Sequence, residues 1–241
     1  MPDFTMPASF PDKDFAAFTL GATSLFPGKQ QVIFDPEEKR RSFIRSAQAV
    51  RYRYRSCVEC DEEFKGLCVN LAEPFKVGWG DEGSTYELER CIYLFFTSAL
   101  SVFDSFAFCL YFVGNAVQAA DFPNVAKPRD ISLHSTAKAF KAAFPQAPLT
   151  ALLITLKDDA RFKTIYVVRN LVGHRLSGCQ SMRFHGSTKE EIWHLPASPI
   201  RLKFDSEMLQ HRLEEIGQLL APLISAAREF VENHQPAMGT T

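Results

Sequence analysis

The chain has 241 residues, 46% of them hydrophobic and 23% charged, which is enough apolar material for a sizeable core and too little net charge for a disordered chain. Its formal net charge of -1 excludes a global field that would hold it on DNA or on an anionic membrane, so any nucleic-acid contact has to use a local basic patch. Phenylalanine, at 22 copies, supplies large packing units and points to interdigitated helices.

Taken in chain order, residues 1–32 are punctuated by Pro2, Pro7, Pro11, Gly21, Pro27 and Gly28 and read as an extended N-terminal arm. The Met1-Pro2-Asp3-Phe4 start lacks a basic stretch followed by an apolar run, so no signal peptide is expected. A helical domain is expected over 33–235, and the residues after it, 236–241, read as a disordered tail. Asp35 can cap a helix that begins near Pro36, runs to about Leu71 and stops before Pro74. The glycines at 78, 80 and 83 predict a loop over Pro74–Gly83.

A second helix opens at Ser84 or Thr85 and runs to about Ala120, with Glu87 and Glu89 expected to meet the positive end of its dipole. Ser98, Ser101 and Ser105, three and four apart, share a face where a neighbour can approach closely. Residues Cys91 to Val113 are apolar enough to raise the question of a membrane span. Asp104 interrupts them near the middle, where a carboxylate costs about 2.5–3.5 kcal/mol on insertion scales. No cluster of Lys or Arg flanks the run, so a buried core helix and no membrane is the expectation.

Pro123 and Pro128 mark a further loop, Ser132 or Ser135 starts a short helix ending before Pro145, and Pro148 starts another. Asp158 and Asp159 open a helix with Phe162, Ile165, Tyr166, Val168, Val172 and Leu176 on its apolar side, ending around Ser177-Gly178. Residues 179–205 change character, and the alternation of Ile200, Leu202 and Phe204 with Arg201 and Lys203 predicts a short hairpin insertion or an ordered loop. Ser206 caps a last helix whose buried stripe is Leu209, Leu213, Ile216, Leu220, Leu223 and Ile224.

Two compositional features bear on ligands. Lys39, Arg40, Arg41, Arg45, Arg51, Arg53 and Arg55 form the dense basic segment, and Arg51, Arg53 and Arg55 are its candidate RNA contacts. The competing interpretation is a solvated helix face balanced by Glu37, Glu38, Glu59, Asp61, Glu62 and Glu63. The six cysteines include a C-x2-C at Cys57 and Cys60, but no second pair or H-x3-H completes a zinc set. Reduced thiols in a cytoplasmic protein, with no metal and no cofactor, are expected.

One segment reads as chemistry: Val167-Val168-Arg169-Asn170-Leu171-Val172-Gly173-His174-Arg175. At about 100° per residue, Asn170 and His174 share a helix face, and Arg169 lies about 140° from His174 but has a long side chain. Gly173 lowers helix stability by about 1 kcal/mol relative to alanine, so it is not there for stability alone. Histidine titrates near neutrality and can take a proton from a ribose 2′-hydroxyl or give one to a leaving oxygen. Arginine stabilises a phosphate gaining charge, and asparagine orients the imidazole or bonds a phosphate oxygen. Together they suit metal-independent RNA cleavage by 2′-hydroxyl attack, a route closed to DNA.

An apolar helix ending in R-N-x3-H resembles the HEPN superfamily, whose hallmark is arginine, four to six residues, then histidine, often with a polar residue after the arginine. Arg169, Asn170 and His174 match that pattern; Arg129 with His134 and Arg228 with His234 match the spacing alone, in a proline-flanked loop and at a helix end. The resemblance implies a mainly α, HEPN-like helical bundle, with the hairpin or loop insertion following the motif helix. It also implies a homodimer with two motifs across the interface. It further implies a ribonuclease of toxin–antitoxin, anti-phage defence or RNA-processing type, with an antitoxin or other protein partner. In one HEPN branch a tyrosine two residues after the histidine is modified; Leu176 stands there in this chain. Asp104 and Tyr166 are candidate supporting residues for the site, Asp104 as a carboxylate partner for Arg169 or His174. The alternatives are a non-catalytic helical module binding RNA or a partner protein, and a structural His174 at the negative end of its helix.

Overall fold

The computed structural model describes residues 6–26, 36–71, 82–123, 130–174, 178–185, 188–195 and 198–235. Among these the chain is mainly helical: α1 (Asp12–Thr23), α2 (Pro36–Leu71), α3 (Glu82–Val117), α4 (Leu133–Ala143), α5 (Pro148–Leu156), α6 (Ala160–His174), then strands β1 (Cys179–His185), β2 (Thr188–His194) and β3 (Arg201–Lys203), and α7 (Met208–His234). The mainly α expectation therefore holds, and the expected hairpin after α6 is present, widened by β3 into an antiparallel sheet of order β1-β2-β3. The predicted cap at Asp35, the loop at 74–81 and the tail at 236–241 lie outside the described residues.

Two compact units form, where the sequence suggested one helical domain: Met1–Tyr52, Ser101–Asp158 and Gly217–Thr241 make the first, and Arg53–Leu100 with Asp159–Ile216 the second. Helices α2, α3 and α7 contribute to both.

The first unit corrects the reading of the N-terminal arm. Residues 12–23 are not extended but form α1, because Phe15, Phe18 and Ala22, spaced three and four apart, are all buried on one helix face. The Phe18 ring centroid lies 5.9 Å from that of Phe43 on α2 and 5.7 Å from that of Phe106 on α3. Asp14 accepts from Arg228 of α7 at 2.6 Å, and Gly217 leaves the room that the Ser9 carbonyl occupies. A further ring cluster gathers Phe122, Phe140, Phe144 and Phe230, with Phe144 and Phe230 at 4.8 Å. Gly114 makes this possible, since a Cβ there would overlap the Phe122 ring. Ser132 opens α4 with a reciprocal capping box to Ser135, one of the two starts the sequence offered.

In the second unit α2 and α3 meet where small residues were expected to allow it: Ser98 Oγ donates to Ser56 Oγ at 3.0 Å. Cys57 Sγ donates to the Phe95 carbonyl at 3.7 Å. Tyr54 reaches the Leu213 carbonyl of α7 at 3.4 Å, and Phe64 meets Phe204 edge-on at 5.7 Å. At the start of α7 it is Asp205, not Ser206, that serves the backbone, its carboxylate accepting from the Glu207 N–H at 3.1 Å. Every residue of the predicted α7 stripe, Leu209 through Ile224, is buried. Helix α3 is long and apolar enough to cross a bilayer, yet 56% of its most apolar window is buried inside the protein, as in a core helix.

Candidate functional site

Helix α6 lies in the second unit and carries the motif in its C-terminal part. Its start is built by Asp159, whose carboxylate accepts from the Arg161 N–H at 2.8 Å and from the Arg161 guanidinium at 3.0 and 2.7 Å. Those bonds hold the Asp159 carboxyl down at about 2. Phe162, Ile165 and Val168, three apart, are buried and seat the helix. Tyr166 was expected on that apolar side, but it is 51% exposed, because the buried stripe turns away from it.

Along α6, Lys163 and Tyr166 are exposed, whereas Arg169, Asn170 and Gly173 are half-buried. Arg169 Nη1 donates to Asn170 Oδ1 at 2.9 Å, both residues being half-buried. The bond commits the Asn170 oxygen and leaves its amide N–H groups as donors. It also sets the direction of the guanidinium, whose fork suits phosphate oxygens. Among the described residues nothing lies within 4 Å of a Cβ added at Gly173. His174 is the last residue of α6, about 40° around the helix from Asn170 by ideal geometry. Its side chain lies outside the described residues.

Beyond α6, one carboxylate organises the chain. Glu89 of α3 accepts from Trp193 Nε1 of β2 at 2.8 Å through one oxygen and from the Gly178 N–H at 3.1 Å through the other. Trp193 is 1% exposed, and a Cβ on Gly178 would overlap its indole. Sequence reasoning assigned Glu89 to the helix dipole, but α3 starts at Glu82, so Glu89 stands beyond the first turn and serves the hairpin instead. The only sequence signals for this were an acid with no partner on its own helix and a tryptophan requiring an acceptor. Glu87 pairs with Arg90 at 2.7 Å, and Arg90 also meets Glu63 of α2.

Asp104, singled out as a carboxylate on an apolar helix, is exposed on α3. Of the three candidate RNA arginines, two are held in ion pairs and the third is turned to another side of the helix. Arg51 pairs with Asp12 at 3.2 Å, Arg55 pairs with Glu59 at 2.7 Å, and Arg53 points about 200° around α2 from each of them. Cys57, Cys60, Cys68, Cys91 and Cys109 are free thiols, and all but Cys68 are buried. Burial pushes Cys60 up to about 11, and Cys91 and Cys109 up to about 12, so these behave as packing groups rather than nucleophiles. Among the described residues no group of His, Cys, Asp and Glu is placed to hold a metal ion.

No family model matches the chain, and no curated protein or solved structure matches it either.

Proposed function

We propose that this protein is a HEPN-type endoribonuclease that cleaves RNA without a metal, through attack of a ribose 2′-hydroxyl on the adjacent phosphorus. The hydrogen bond from Arg169 to Asn170, within the R-N-x3-H pattern of α6, carries this reading. His174 takes the 2′-hydroxyl proton as the oxygen–phosphorus bond forms and returns a proton to the departing 5′ oxygen. The products are a 2′,3′-cyclic phosphate and a free 5′-hydroxyl. Arg169 stabilises the charge that grows on the non-bridging oxygens. Asn170 holds Arg169 and offers its amide to the same phosphate. Tyr166, exposed one turn earlier, is positioned to stack against a base. A homodimer places two such motifs together, and a cytoplasmic toxin or defence effector with a protein antitoxin is the setting this chemistry fits.

The test is RNA cleavage by the purified protein in EDTA. Wild type is expected to cut RNA and to leave a 2′-O-methyl analogue intact. His174→Ala and Arg169→Ala are expected to lose about 10²–10⁴-fold in rate while remaining folded. Wild type that cuts no RNA, or a His174→Ala variant as fast as wild type, overturns the proposal. A strictly monomeric protein counts against the dimeric site. Binding of RNA without cleavage would favour the second reading, a non-catalytic module, for which the exposed Tyr166 beside Arg169 already supplies a docking face.

A further inference from the structure

We propose that a second RNA contact lies on the exposed face of the first-unit part of α2, where Arg41 and Arg45 take phosphates and Tyr52 takes a base. Four observations meet there. Residues 41, 45, 48 and 52 follow spacings of four, three and four, which gathers Arg41, Arg45, Gln48 and Tyr52 within about 60° of one helix face. All four are exposed, Tyr52 at 66%. From Lys39 to Val58 the chain carries seven basic residues and no acidic one, so this face sits in a positive field although the whole protein is near neutral. The available counter-charges leave it open. Arg45 makes no ion pair among the described residues, and the Arg41–Glu37 pair, 65% and 44% exposed, is a water-facing bridge that exchanges readily for a phosphate.

The occupant follows from the mixture. An acidic peptide would satisfy the arginines but gives the exposed ring of Tyr52 nothing flat to stack upon. A single-stranded nucleic acid supplies both a regular anionic backbone and unstacked bases, and Gln48 between the arginines and the ring can donate to either. Duplex RNA hides its base faces and uses only the charges. The face differs from the arginines that sequence alone suggested, because Arg51 and Arg55 are engaged by Asp12 and Glu59.

The choice of RNA rests on the proposed function of α6, and the experiment separates the two. A short, fluorescently labelled 2′-O-methyl RNA, which cannot be cut, is titrated with the full chain at stepped salt and read by anisotropy. Arg41→Gln/Arg45→Gln is expected to weaken binding and to reduce the slope of log affinity against log salt by about 1.4, from two single-strand phosphates at about 0.7 each. Tyr52→Ala is expected to weaken binding about tenfold at unchanged slope, and Tyr52→Phe to restore it. Unchanged helical circular dichroism is expected for all three, as none of these side chains is buried. Equal binding by wild type and variants, or displacement of the RNA by poly-glutamate at matched charge, overturns the proposal. Cleavage retained with binding to this face absent sinks the face alone; binding retained with cleavage absent sinks the α6 reading alone.

Discussion

Rings packed on rings dominate the first unit, beside charged ties such as Asp14–Arg228, whereas in the second charged groups make several of the ties between elements. In the first, Phe15, Phe18, Phe43 and Phe106 fill one cluster and Phe122, Phe140, Phe144 and Phe230 another. In the second, Glu89 joins α3 to the hairpin, Arg90 joins α3 to Glu63 of α2, and Asp159 fixes the start of α6. Apolar packing is insensitive to direction but sensitive to volume. Charge-assisted hydrogen bonds are the reverse, contributing modest energy but strict geometry. Directional bonds of this kind tie the hairpin to α3 in the unit that carries the candidate motif.

The largest way to break this contrast is Phe18→Ala. Phe18 is fully buried, and its removal is expected to destabilise the protein by about 3–5 kcal/mol in chemical denaturation. Loss of hydrogen-exchange protection should be greatest in α1. A loss below about 1 kcal/mol would show that the ring clusters do not govern the first unit.

In the second unit Glu89→Ala is expected to cost about 2–3 kcal/mol, since it strands the buried Trp193 N–H and the Gly178 N–H together. Its signature is faster exchange in β1 and β2 with α1 unaffected. Equal effects on both regions would erase the proposed difference between them.

Gly173→Ala sharpens the comparison by acting with the opposite sign. Among the described residues nothing lies within 4 Å of the added Cβ, so the helix should gain up to about 1 kcal/mol. A variant that is more stable yet slower on RNA would show that the glycine serves a ligand. One that is more stable and equally active would make the glycine irrelevant to the site.

The smallest effect is on pH dependence. The Asp159 carboxyl is held down to about 2 by Arg161, below its ordinary value near 3.8. A depressed folded value adds stability above about 4, and that stability is lost as pH falls from there through about 2. Because the pair is still partly exposed to solvent, less than about 1 kcal/mol is expected. The stability of Asp159→Asn should therefore approach that of wild type as the pH is lowered towards 2. A constant gap between the two down to that pH would remove the ion pair as its cause.

What could be read from the sequence follows the range of the forces involved. Helices α2, α4, α5 and α7 were legible from local punctuation: Pro36, Ser132, Pro148 and an unbroken leucine stripe. Helix α1 was missed because its prolines and Gly21 outweighed a short signal, the Phe15-Phe18-Ala22 spacing. Gly21 serves packing there, facing Val231 and Gln235. Within the site, Arg169 and Asn170 were legible because they are adjacent. Glu89 was not, since its partner Trp193 is 104 residues away and no periodicity links them. The arginines of α2 were visible as a run, but which of them face water depends on Asp12 and Glu59, and a composition count cannot assign that.

The bond between Asp14 and Arg228 spans 214 residues, and so does the one from Gln235 to the Gly21 carbonyl. Such closures come late in folding, because a long loop must be ordered before the contact repays it. During synthesis α1 can meet Phe43 early and Phe106 later, but it waits for α7 before its outer side is sealed. The last step of assembly is therefore a clasp between the two ends of the described chain. A ribosome-bound fragment that stops short of α7 should keep α1 open to protease, whereas the finished chain should not.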